Sequence, residues 1–75
     1  MNNEAVQDWL RIRRKLLDME ASFTSLAISV ASGQAEEHLL QQQRQLLEAQ
    51  RVLCTAAYLR AFPERAAEGA PTAGP

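Results

Sequence analysis

An unbroken heptad stripe constrains this chain more than any other feature. Trp9, Ile12, Leu16, Met19, Phe23, Leu26 and Val30 follow one another at alternating spacings of three and four residues. On a helix that spacing lines up all seven side chains along one seam. It predicts a first helix over about residues 4–31. Glu4 and Asp8 fall in its opening turns, where they favour the positive end of the helix dipole, and Asn3 suits the N-cap. Opposite the seam, Arg11, Lys15, Asp18, Ser22, Ser25 and Ser29 form a polar stripe whose second half is a row of small serines open to close backbone approach. A further stripe of Leu10, Leu17, Ala21 and Ile28 makes the apolar arc wider than one neighbouring helix can cover.

Ser32-Gly33-Gln34 breaks this pattern. Gly33 suits the left-handed position just beyond a helix end, and Glu36 and Glu37 favour the start of another helix. The second helix is expected over about residues 35–62, with Pro63 stopping it. Two helices of equal length joined by a short turn fold antiparallel. The predicted fold is therefore all-α: a coiled-coil-like hairpin at residues 1–62, followed by a disordered Gly/Pro/Ala-rich tail at residues 63–75. Leu39, Leu46 and Leu53 repeat at seven and are expected to complete the hairpin seam. Folding back about Gly33 brings Leu39 toward Leu26 and Val30, Leu46 toward Phe23, and Tyr58 and Phe62 toward Trp9. Gln43 and Gln50, also seven apart, stand beside that seam in position to hydrogen-bond across an interface.

From Val52 to Phe62 the second helix is apolar on nearly every side, with Thr55 and Arg60 as its polar residues. A helix of that kind needs more cover than one neighbour provides. Chains below roughly 70–80 residues gain only about 3–5 kcal/mol from a single core, and usually need a staple. This one has 75 residues and one cysteine, which excludes an internal disulfide, and it has no Cys/His cluster for zinc. Association with another chain is the remaining route. The residues expected at a partner surface are Leu10, Leu17, Ile28, Val52, Tyr58, Leu59 and Phe62.

Chemistry is not expected. His38 and Cys54 lie sixteen residues apart, at different heights and on different faces, and neither a phosphate-binding glycine loop nor a paired-acid motif occurs. No catalytic residue, cofactor or metal is predicted. A net charge of −1 argues against a dedicated nucleic-acid binder, and the basic run Arg11, Arg13, Arg14, Lys15 is flanked by Asp8 and Asp18, with Arg14 and Asp18 at ion-pair spacing. The polar, acidic start predicts no signal peptide, and no stretch is long and apolar enough to suggest membrane insertion.

The segment Ala31-Ser32-Gly33-Gln34-Ala35-Glu36-Glu37-His38-Leu39-Leu40-Gln41-Gln42-Gln43, followed by Leu46-Leu47-Glu48-Ala49, resembles the small E-type co-chaperones of type III secretion needle subunits, the YscE/PscE/SsaE-like family. Such proteins share a Glu/Gln-rich entry into the second helix and a Leu-Leu-Glu-like stretch after it. The longer tail after Pro63 and the Trp9/Tyr58/Phe62 cluster depart from that pattern. The resemblance implies a helical hairpin in the bacterial cytoplasm, bound to a tetratricopeptide-like (TPR-like) chaperone. In such a heterotrimer the pair keeps the needle subunit monomeric before export, with the E-type protein chiefly stabilising its chaperone partner. The alternative from another class is a self-associating homodimer, a four-helix bundle with a structural or RNA-binding regulatory role.

Overall fold

A computed structural model describes residues 3–64 of the chain. Among them are two long helices and no strand: α1 spans Asn3–Ala31 and α2 spans Glu37–Ala61. They pack against each other as an antiparallel hairpin. The expected disordered tail lies, from residue 65 on, outside the described residues. Asn3, expected as a cap, belongs to α1 itself.

The turn follows from one glycine. Gly33 has φ +77°, the left-handed region in which a side chain would be strained. Around it the N–H of Gly33 donates to the Val30 carbonyl at 3.0 Å and that of Gln34 to the Ser29 carbonyl at 2.8 Å. These are the two bonds of a Schellman motif, and they satisfy carbonyls that the helix end would otherwise leave open. The Ser32 hydroxyl adds a bond to the Ile28 carbonyl at 2.9 Å.

α2 begins two residues later than the sequence suggests. Glu36 is the N-cap, with an extended backbone (φ −84°, ψ 142°) and no capping bond from its side chain. Its carboxylate Oε2 instead stands 3.0 Å from Nδ1 of His38. At the other end Phe62 leaves the helix at φ −130°, ψ 71°. The ring of Pro63 disfavours helical geometry for the residue before it, so α2 ends at Ala61.

The seam on α1 consists of Trp9, Ile12, Leu16, Met19, Phe23, Leu26 and Val30, all half-buried. On α2 the facing row is not Leu39, Leu46 and Leu53. These three are 41%, 58% and 54% exposed. The seam lies one residue further on, along Leu40, Gln43, Leu47, Gln50, Cys54, Ala57 and Ala61, of which Leu47, Gln50, Ala57 and Ala61 are buried. One residue is a 100° rotation of the helix, enough to carry a whole leucine row to the surface. The physical reason is the company each row keeps. The small Ala57 and Ala61 let the two helices approach closely, and Gln50 finds a main-chain partner on α1. No residue of α1 is fully buried, so the core is thin.

Candidate protein-interaction surface

Two ion pairs between the helices mark the two broad faces of the hairpin. On one, Arg51 donates through Nη2 to Oε2 of Glu20 at 3.1 Å. On the other, Asp8 lies 3.4 Å from Arg11 and 3.9 Å from Arg60. The expected Arg14–Asp18 pair is not formed. Arg13 instead stands over the Trp9 ring, 5.9 Å from its centroid, a cation–π contact that takes it out of the basic run.

The Glu20–Arg51 face carries most of the expected partner residues. Leu17 of α1, with Leu10 one heptad before it, and Val52 and Leu59 of α2 are exposed toward it as large apolar side chains, and Ile28 is exposed nearer the turn. An open groove between the helices is lined by Trp9, Arg13, Leu16, Leu17, Cys54, Thr55 and Tyr58. It runs through Thr55 into a shallow apolar depression walled by Val52, Ala56 and Leu59, with Arg51 at its edge. Beyond Phe23 and Leu47 the same face turns polar, lined by Glu20, Thr24, Arg44, Glu48 and Arg51. The apolar ground is thus concentrated toward the end of the hairpin far from the turn.

Tyr58 and Phe62, also expected at the partner surface, are half-buried and packed within the chain. Trp9 meets Tyr58 edge-on at 5.6 Å between ring centroids and Phe62 at 5.4 Å, and the latter two stand 5.1 Å apart. These geometries place the positive ring edges on the negative faces. Tyr58 also presents one side to the groove. The cluster closes the end opposite the turn and supports the floor of the groove, while Leu59, next in sequence, points outward.

The Asp8–Arg60 face carries the displaced leucine row. Asp8, Lys15, Ser22 and Ser29 form one heptad row of α1, and Leu39, Leu46, Leu53 and Arg60 form one of α2. The Asp8–Arg60 contact sets these rows side by side. The exposed apolar area of the hairpin is therefore split between two faces, whereas the sequence pattern had assigned these leucines to the interior.

Among the described residues no three His, Cys, Asp or Glu side chains gather to hold a metal ion. No described helix is long and apolar enough to cross a membrane. Cys54 is half-buried in the groove wall and pairs with no other cysteine. Compared with known proteins, the chain matches no family model, no curated protein and no solved structure.

Proposed function

We propose that this chain is a non-catalytic co-chaperone that stabilises a TPR-like chaperone and, with it, keeps a type III secretion needle subunit monomeric before export from the bacterial cytoplasm. The observation that carries the reading is the exposed apolar ground of the Glu20–Arg51 face. Leu17 lines an open groove, Val52 and Leu59 wall the depression that continues it, and Leu10 is exposed one heptad before Leu17; among the described residues the buried core is Leu47, Gln50, Ala57 and Ala61. A helical partner that laid its side chains into this groove would cover the leucines and lend the hairpin the core it lacks. The inner, helix-lined surface of a TPR-like protein is such a partner, and the likeness of residues 31–49 to E-type co-chaperones selects it from other helical proteins.

Co-expression with a TPR-like chaperone and a needle subunit encoded beside this chain, followed by size exclusion with light scattering, tests the proposal. A 1:1:1 complex is the expected result. A chain that elutes alone and leaves the chaperone insoluble would overturn it.

A further inference from the structure

The groove on the Glu20–Arg51 face carries charge as well as shape. Three polar side chains stand among its apolar walls: the guanidinium of Arg13 and the hydroxyls of Thr55 and Tyr58. Each can donate a hydrogen bond, and an arginine can only donate. We propose that this groove docks an amphipathic helix of another protein that carries a carboxylate among its apolar side chains, received by Arg13 with Thr55 and Tyr58 as further donors.

The three donors belong to one neighbourhood. Arg13 stands 5.9 Å from the centre of the Trp9 ring, and Tyr58 packs against the same residue at 5.6 Å between ring centroids. Thr55 comes three residues before Tyr58, which sets both on one side of α2. None of these three side-chain groups has a hydrogen bond or ion pair with another described residue.

Arg13 is also the cation of this face without an acid at ion-pair spacing. Its neighbours three and four residues away along α1 are Trp9, Leu10, Leu16 and Leu17. Arg51, at the edge of the depression, is held by Glu20. Arg14 has Asp18 four residues on, and Arg44 has Glu48 four residues on.

A partner that fills the groove takes the Arg13 guanidinium out of water. Burying that charge unpaired is costly, and a carboxylate brought against it offsets the cost. The bond so formed is charge-assisted, and the two hydroxyls can serve the carboxylate's remaining lone pairs. A lysine or arginine at the same place is repelled. The occupant is a helix because a groove between two packed helices takes the side-chain ridge of a third. We take from the proposed function that a partner docks here; the partner's charge does not depend on its being a TPR-like chaperone.

The probes are two synthetic helical peptides with the same leucine stripe and no aromatic residue, one with glutamates beside the stripe and the other with lysines in their place. Trp9 is the one tryptophan of the chain and lines the groove, so its fluorescence reports docking there. The glutamate peptide is expected to bind roughly tenfold tighter or more, with the advantage shrinking as salt is raised. Arg13→Gln should abolish the preference and Arg13→Glu reverse it, each with helicity unchanged by circular dichroism. Thr55→Val combined with Tyr58→Phe should narrow it. Equal binding of the two peptides, or no change in Trp9 emission with either, overturns the proposal. So does a glutamate preference that survives Arg13→Glu or is untouched by loss of both hydroxyls. If the preference holds while the TPR-like chaperone is not captured on co-expression, the co-chaperone reading falls and the acidic helical partner stands.

Discussion

The side-chain amide of Gln50 crosses the hairpin and donates through Nε2 to the main-chain carbonyl of Ile12 at 3.2 Å. Gln50 is only 6% exposed, the one polar residue among the buried four. An amide that reaches one particular carbonyl fixes how far α2 slides along α1, which leucines and alanines alone do not. The net worth of such a bond is about 0.5–1.5 kcal/mol, whereas a well-packed apolar residue can match or exceed it. Gln50→Leu is therefore expected to keep stability within about 1 kcal/mol while broadening the amide resonances of the seam, as neighbouring registers become accessible. Gln50→Ala, which also removes packing, should cost about 1–2 kcal/mol. Urea unfolding and an amide NMR spectrum check both. Sharp, wild-type-like spectra for Gln50→Leu would show that the aromatic end sets the register instead.

Gly33 gives a second prediction with a different cause. A Cβ placed there meets nothing within 4 Å, so crowding is not at issue. The cost of Gly33→Ala is the left-handed backbone alone, about 1–2 kcal/mol, and Gly33→Asn should recover part of it. Thermal melts followed by circular dichroism should rank the wild type above Asn and Asn above Ala. Equal melting points would mean that the turn rebuilds without the Schellman bonds.

These two residues also show where the sequence was legible. The turn could be read because glycine at a break in two heptad patterns has a specific backbone reason to be there. The seam of α1 could be read because its apolar row is continuous from Trp9 to Val30. α2 offered two candidate rows, since leucines occur in pairs at 39–40 and 46–47 and the third pair is Leu53-Cys54. Hydrophobicity favours the row with three leucines, and that is the row on the surface. The true seam contains Gln50, whose place inside depends on a carbonyl from the other helix, and Ala57 and Ala61, whose smallness counts only against a neighbouring helix. Such reasons are tertiary and invisible along one helix. For the same cause the displaced leucines were assigned to the core, although the Leu10, Leu17 and Ile28 row was legible as surplus from its breadth.

The aromatic end carries a prediction about cooperativity. Trp9 touches both Tyr58 and Phe62, so its truncation removes two ring contacts at once. Trp9→Ala should cost about 3 kcal/mol, most of the stability a core of this size supplies. The loss is expected as fraying from the open end, with hydrogen exchange of Tyr58–Ala61 amides rising before those of Leu40–Leu47. Arg13→Ala, which removes only the cation over the ring, should cost about 0.5–1 kcal/mol. A uniform loss of protection along both helices in Trp9→Ala would identify the hairpin as a single cooperative unit.

Leu59 tests the groove face without touching the seam of the hairpin. Leu59 is exposed beside Val52 and Ala56 on the groove face, and it contributes nothing to the Leu39–Leu46–Leu53 row. A charge there sits in water in the free chain and costs little, but in a desolvated interface it is unpaired and expensive. Leu59→Glu should therefore preserve helicity and melting temperature in the isolated chain while abolishing capture of the TPR-like chaperone in pull-down. Leu46→Glu, exposed on the opposite face, should leave both capture and helicity intact. If Leu59→Glu unfolds the chain, the residue is part of the core and the groove is closed in solution. If it folds and still captures the chaperone, the partner binds elsewhere on the hairpin.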